Sequence, residues 1–167
     1  MLKKLIISFL FSFCSLLTQQ LQAQYYDHSF GVRGGTDLQL SYNRFLFFGP
    51  EYMQQSLEIL GGAQFDVTKK EINGYLLQAF YKLHTDVGFD TGFGAYAGLG
   101  LLGGWYTRTG RTNVWGGGIA ATIGMEYTFT HVPINISLDW RPFLAYPRSS
   151  LLSFGLTLRY VFTTTWQ

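Results

Sequence analysis

Serine, histidine and carboxylate side chains are the groups in this chain whose types could support catalysis. Together they can act as a nucleophile, a base and the acid that orients the base in acyl transfer. His84, Ser137 and Asp139 fall on polar faces of alternating segments, whereas His131 has no serine beside it. Because the nucleophile must lie within hydrogen-bond reach of the base, the elements that carry these residues decide whether they can react.

Two other patterns resemble binding motifs but lack the context that those motifs need. His28, His84 and His131 are scattered along the chain, without the spacing of metal ligands. The segment 98–103 fits G-x-G-x-x-G, but a dinucleotide site also needs a following helix and an acidic residue about 20 positions later. Position 118 is Gly, and no helical periodicity follows the motif. Read as a strand, these glycines leave room for bulky neighbours such as arginines. We expect no metal and no cofactor.

The composition excludes several classes of protein. Only 13% of the 167 residues are charged, 18% are aromatic, and 20 are Gly. A disordered chain would be polar and poor in aromatics, and a net charge of +2 provides no basic stripe for nucleic acid. A β-protein with two differently solvated faces fits this balance.

The first 23 residues have the pattern of a secretory signal peptide. Lys3 and Lys4 form a basic start, an apolar run of 13 residues begins at Leu5, and Ala23 supplies the small residue before the cleavage site. The run is too short for a spanning helix, which needs about 17–25 apolar residues. We predict a signal peptide over 1–23 and one β-barrel domain over 24–167.

Alternation of apolar and polar residues is the dominant pattern after the signal segment. Segments of about 10 residues alternate with period 2, which is long enough for tilted strands that cross a hydrocarbon layer. Aromatic residues crowd the segment ends, as in interfacial girdles. The pattern predicts an all-β, eight-stranded antiparallel up-and-down transmembrane β-barrel rather than a soluble β-domain. The segments lie near 54–66, 72–84, 92–106, 114–129, 134–145 and 150–162, with 29–46 preceding them.

The strand number follows from parity. A closed antiparallel barrel with both termini in the periplasm disfavours seven strands, so we divide 29–46 into a hairpin at Gly34-Gly35. The connections then alternate between the two sides of the membrane. Those near 34–35, 67–71, 107–113 and 146–149 become extracellular, and those near 47–52, 85–91 and 130–133 become periplasmic. His84 then lies at the periplasmic end of its strand, whereas lipid-modifying barrel enzymes act near the outer leaflet. We therefore predict no enzymatic activity.

Charged residues on the polar faces would point into the barrel. An eight-stranded barrel is just wide enough inside for side chains, and unpaired charges there would be costly. We expect four basic and four acidic residues to pair and to plug the lumen, with an ion path as the alternative. The eight residues are Arg33, Asp37, Glu58, Lys82, Glu126, Asp139, Arg141 and Arg159.

Several segments resemble those of small bacterial outer-membrane β-barrel proteins. The specific part is Met125–Phe129 followed by Val132–Pro142. Gly31–Gly34 and Leu38–Tyr42 look like opening strands of that family, and Leu156–Phe162 is similar to its close. The family implies an eight-stranded outer-membrane barrel of largely uncharacterised role and no catalytic residues. Ala120 stands where the family often has Asp.

The sequence therefore predicts a structural or accessory-subunit role in the outer membrane of a Gram-negative bacterium. A narrow channel and a lipid-modifying enzyme remain alternatives. The expected partners are outer-membrane lipid, the barrel-insertion machinery and a larger outer-membrane complex. A basic collar on the predicted extracellular loops could meet lipopolysaccharide phosphates, because Arg offers two-pronged hydrogen bonds to phosphate. The collar consists of Lys69, Lys70, Arg108, Arg111 and Arg148.

Overall fold

The computed structural model describes residues 26–46, 54–66, 71–87, 92–108, 111–146 and 149–163. The predicted signal peptide lies outside these residues. The described chain forms strands: β1 (His28–Gly35), β2 (Asp37–Leu46), β3 (Gln54–Asp66), β4 (Glu71–Asp86), β5 (Phe93–Arg108), β6 (Arg111–Thr128), β7 (Ile134–Trp140), β8 (Phe143–Tyr146) and β9 (Phe154–Phe162).

No helix in the described part of the chain is long and apolar enough to span a membrane.

The strands close into one barrel. Consecutive strands from β1 to β7 pair antiparallel, β9 pairs with β7, and β1 closes the barrel by pairing with both β2 and β9, so that His28 lies opposite Arg44 on one side and Phe162 on the other. β7 and β8 both pair with β6 and are two parts of one barrel strand. The nine segments therefore make eight barrel strands, which confirms the predicted all-β, eight-stranded antiparallel barrel. The predicted hairpin within 29–46 is also present, with Thr36 between β1 and β2.

Two predicted strand boundaries are wrong near the end of the chain. The segment predicted at 134–145 is interrupted at Arg141 and Pro142, because proline has no N–H for a ladder hydrogen bond. The Arg141 N–H instead donates to the Ser153 carbonyl at 2.7 Å. The last strand begins at Phe154 rather than near 150, and Ser150 forms only an isolated bridge to Phe143.

The two ends of the barrel differ in what they carry. His28 and Phe162 lie at the end that we call the terminal end, together with the connections β2–β3, β4–β5 and β6–β7. The β1–β2, β3–β4, β5–β6 and β8–β9 connections lie at the opposite end, which we call the hairpin end. The alternation of connections is the one that parity predicts.

The barrel is polar inside and apolar outside. In β2 the side chains of Gln39 and Ser41 are buried, whereas Leu38 and Leu40 are more than half exposed. Across the described residues, buried polar and charged side chains outnumber buried hydrophobic ones. This distribution is the reverse of that in a soluble domain, where apolar side chains fill the core.

One hydrophobic cluster fills part of the interior. Its side chains come from β3, β4, β5, β6 and β8, mostly from the halves of these strands nearer the hairpin end. They are Leu60, Leu76, Phe80, Leu102, Tyr106, Ala120 and Phe143. The polar groups occupy the remaining interior.

The inward-facing glycines make room for bulky side chains, as the sequence predicts, although at Gly98 and Gly100 these are a lysine and a phenylalanine rather than arginines. A Cβ added at Gly98 would lie 2.8 Å from Lys82 Cγ, and one added at Gly100 would lie 2.5 Å from Phe80 Cδ1. The arginines are accommodated elsewhere, by Gly31 in β1 and by Gly155 in β9. Cross-strand register, which the sequence does not state, determines which side chain each glycine faces.

Candidate functional site

All eight predicted charges lie inside the barrel. Seven of them are buried, and the side chain of Glu126 is 10% exposed. The residues come from β1, β2, β3, β4, β6, β7 and β9, together with Arg141 in the break between β7 and β8. Four basic and four acidic groups balance in formal charge, and the geometry shows which of them pair.

Glu58 is the centre of the charge network. Arg159 Nη2 donates to Glu58 Oε1 at 2.6 Å, and Arg141 Nη2 donates to Oε2 at 3.0 Å. Lys82 Nζ lies 3.3 Å from Oε2, and the Ser41 hydroxyl donates to Oε1 at 2.7 Å. One carboxylate thus faces three cations, and both of its oxygens are used.

Asp139 forms a second centre beside the first. Arg33 Nη2 donates to Asp139 Oδ1 at 2.8 Å, and Arg141 Nη2 donates to Oδ2 at the same distance. The Tyr96 hydroxyl donates to Oδ2 at 3.1 Å. Arg33 also pairs with Asp37. Because Arg141 contacts both Asp139 and Glu58, it joins the two centres into one network.

The structure does not bring His84, Ser137 and Asp139 together. Ser137 accepts a hydrogen bond from Arg159 Nη1 at 2.8 Å, and Asp139 is held by Arg33, Arg141 and Tyr96. His84 instead contacts Ser56 and Glu126. The three residues singled out from the sequence for a serine, histidine and acid set therefore do not form one.

Glu126 pairs with a histidine rather than with one of the four cations. Its Oε1 lies 2.5 Å from His84 Nδ1, and its Oε2 accepts from Asn135 Nδ2 at 3.3 Å. The arginines pair with Glu58 and Asp139. Glu126 lies near the terminal end of β6, and this position brings it to His84 instead.

The other side of the His84 ring contacts a serine that the sequence analysis does not single out. His84 Nε2 lies 2.8 Å from Ser56 Oγ. Ser56 is fully buried, and it pairs across β3 and β4 with Lys82, two residues before His84. Ser56 belongs to the polar set of its segment, but only the register of β3 on β4 brings it to His84.

Aromatic rings cover this group at the terminal end. The Phe45 ring lies 4.9 Å from the His84 ring, and the Tyr26 ring packs edge-on against Phe45 at 4.8 Å. On its other side, His84 lies 5.2 Å from Tyr96. Distances are between ring centroids. Aromatic rings therefore cover the His84 group on the side of the terminal end.

The predicted basic collar is only partly described. Lys69, Lys70 and Arg148 lie outside the described residues. Arg108 and Arg111 are opposite one another at the hairpin end of β5 and β6, where only their backbone is described. These two positions therefore share the end to which parity assigns the collar.

No group of three or more His, Cys, Asp or Glu within the described ranges could hold a metal ion. Comparison with known proteins finds no family model, no curated protein and no solved structure that matches the chain. The resemblance to small outer-membrane barrels therefore depends on the quoted segments alone, and the function must be argued from the barrel itself.

Proposed function

We propose that this chain is an outer-membrane β-barrel protein of a Gram-negative bacterium, with a structural or accessory-subunit role in the envelope. The observation that carries the proposal is a closed barrel with an apolar outside and a charged inside. Exposed leucines and isoleucines cover the middle of the outer surface on every side, including Leu40, Ile59, Leu77, Leu99, Ile119, Leu138 and Leu158. In water this surface would be an aggregation hazard, whereas lipid would solvate it.

The outer aromatic residues support the same proposal. Tyr75, Trp105, Trp115 and Tyr146 are exposed towards the hairpin end, and the Trp105 and Trp115 ring centroids are 4.0 Å apart. Tyr42, Tyr81 and Phe129 are exposed towards the terminal end. Two aromatic bands separated by aliphatic residues correspond to the two interfaces of a bilayer, where amphipathic rings are favoured.

A plugged lumen fits the interior better than a narrow channel does. The hydrophobic cluster fills one part of the interior, and paired charges fill another. Each buried cation of the network lies within 3.3 Å of a carboxylate oxygen. Purified protein in planar bilayers is therefore expected to show no steady conductance.

We infer from strand parity that the terminal end faces the periplasm and the hairpin end faces the outside of the cell. Both chain termini and the connections β2–β3, β4–β5 and β6–β7 would then face the periplasm. The collar would face the lipopolysaccharide leaflet, whose phosphates could accept hydrogen bonds from its arginines. The barrel-insertion machinery is the partner that this topology requires during biogenesis, and a larger outer-membrane complex is the partner that an accessory subunit would join.

A charge on the outer surface tests the membrane proposal directly. Leu99 is 72% exposed near the middle of β5. In lipid, Leu99→Arg should destabilise the barrel by about 2–4 kcal/mol, because the charge would lie at the bilayer midplane. The matched control is Thr85→Arg, on the outer surface near the terminal end, where the cost should be about 0–1 kcal/mol.

The measurement is urea unfolding of both variants in phospholipid vesicles, after heat-modifiable gel migration has verified closure. In cells, the protein should fractionate with the outer membrane. A soluble periplasmic protein that tolerates Leu99→Arg as well as Thr85→Arg would refute the proposal.

A further inference from the structure

A serine, a histidine and a carboxylate form one hydrogen-bonded series inside the barrel. Ser56 Oγ lies 2.8 Å from His84 Nε2, and His84 Nδ1 lies 2.5 Å from Glu126 Oε1. We propose that Ser56 is an activated nucleophile that accepts the acyl group of a slender carboxylic ester, with His84 as its base and Glu126 as the group that orients His84. This inference goes beyond a structural role, which needs no activated hydroxyl.

The two sides of the imidazole ring determine which way its proton points. A carboxylate can only accept hydrogen bonds, so the nitrogen facing Glu126, Nδ1, carries the proton in the neutral ring. Nε2 is then left with its lone pair directed at Ser56, and the serine hydroxyl donates to it. A base that removes the serine proton needs this tautomer.

Other buried serines of the interior lack such a base. Ser41 donates to Glu58, Ser137 accepts from Arg159, and the hydroxyl of Ser29 has no hydrogen-bond partner within the part of the chain that the structure describes. Burial alone therefore does not lead a serine to a histidine in this barrel. The order of groups at Ser56 is the one that nucleophilic catalysis requires.

A buried cation stands next to the serine. Lys82 is the cross-strand partner of Ser56, and among the described residues its ammonium has no hydrogen-bond partner. The ammonium forms an ion pair with Glu58 at 3.3 Å and lies 4.5 Å from the centre of the Tyr96 ring. Its N–H groups are available to the oxygen that becomes negative when a serine attacks an ester carbonyl. Lys82 thus supplies the fourth element of an acyl-transfer site.

Access to Ser56 requires movement of two aromatic rings. Ser56 is fully buried, and its cross-strand partner on the other side is Phe45. Phe45 also covers His84, and Tyr26 packs against Phe45 at the terminal end. Rotation of these side chains would open the group from the end that we propose to face the periplasm. The narrow interior favours a slender ester over a bulky one.

Besides the ester, the reaction consumes only water. The Ser56 oxygen forms a bond to the ester carbonyl carbon while His84 Nε2 takes the hydroxyl proton. The ester C–O bond then breaks, and the leaving alkoxide takes that proton from His84 and departs as an alcohol. A water molecule then gives a proton to His84 Nε2 and bonds to the acyl carbon, the acyl–Ser56 bond breaks, and the Ser56 oxygen takes the proton back from His84 as a carboxylic acid is released.

The experiment uses the folded full-length barrel in detergent and a fluorophosphonate probe, which reacts with activated serines. Mass spectrometry should find the adduct on Ser56. His84→Gln should slow labelling by about 100-fold or more, the contribution typical of a general base. Glu126→Gln should slow it less, and Ser29→Ala, the matched control, should leave it unchanged. Heat-modifiable migration verifies that each variant is folded.

A second variant tests whether the aromatic rings keep the probe from reaching Ser56. Phe45→Ala takes away the ring beside Ser56 and His84, so labelling and hydrolysis of p-nitrophenyl acetate should both accelerate. The proposal is overturned if neither the wild-type barrel nor folded Phe45→Ala is labelled at Ser56, or if labelling is insensitive to His84→Gln. Either result would leave the membrane-barrel proposal intact, because that proposal is tested by Leu99→Arg.

Discussion

Replacing Glu58 with glutamine tests whether the charge network holds the barrel together. Glu58→Gln keeps the size of the side chain but removes the negative charge that Lys82, Arg141 and Arg159 share within 3.3 Å. Neither Glu58 nor Lys82 has any exposed side-chain surface, so water cannot replace the lost carboxylate. Removing one partner of a buried ion pair costs about 3–5 kcal/mol, and we expect a loss in unfolding free energy in that range.

Most of the lost unfolding free energy should come from the interactions of Lys82. After the substitution, Arg141 still contacts Asp139, and Arg159 still contacts Asn135 and Ser137. Lys82, in contrast, forms its ion pair with Glu58. Adding Lys82→Met should therefore restore part of the stability. The two sites should be coupled by about 0.5–3 kcal/mol, the range observed for residues in direct contact.

The assay is equilibrium urea unfolding in phospholipid vesicles, followed by tryptophan fluorescence, with refolding as the check on reversibility. Leu57→Val is the matched control, because Leu57 is the next residue in β3 and faces outwards. The control should change stability by less than about 1 kcal/mol, since the lost methylene is solvated by lipid. If Glu58→Gln costs no more than this control, or if Lys82→Met does not relieve it, the interior charges do not stabilise the barrel by pairing.

Two further predictions concern close packing and the outer rim. Gly31→Ala should destabilise the barrel by about 1–3 kcal/mol or more, since the added Cβ would overlap the Leu158 carbonyl and the Arg159 backbone. Gly34→Ala, where nothing lies within 4 Å, should be nearly neutral in the same unfolding assay, and equal effects would refute the packing argument. The double substitution Arg108→Gln and Arg111→Gln should weaken co-purification of lipopolysaccharide, by an amount that shrinks at high salt. Arg44→Gln, which removes an exposed charge near the terminal end, should not weaken it, and an unchanged amount of lipopolysaccharide in the collar variant would reduce the collar to ordinary solvated loops.

The sequence alone determined that the chain forms an eight-stranded antiparallel barrel and which charged residues face its interior. Period-2 alternation assigns each residue to one of two faces. This assignment stays correct even when a predicted strand end is wrong by one or two residues. Arg33, Glu58 and Arg159 were therefore placed on the inner face without any knowledge of their neighbours. Parity of the strands was sufficient to require the hairpin within 29–46.

Only the tertiary structure decided which residues meet. Contacts across a sheet depend on register and on the shear of the barrel, and a shift of register exchanges every cross-strand neighbour. For this reason His84, Ser137 and Asp139 do not form one group, whereas Ser56 meets His84 from the neighbouring strand β3 and Glu126 reaches it from β6, across the intervening β5. The break in the strand at Arg141 and Pro142 also could not be predicted, because a single proline is compatible with both a strand end and a bulge. The structure shows the break, since the Arg141 amide donates to the Ser153 carbonyl rather than to a strand partner.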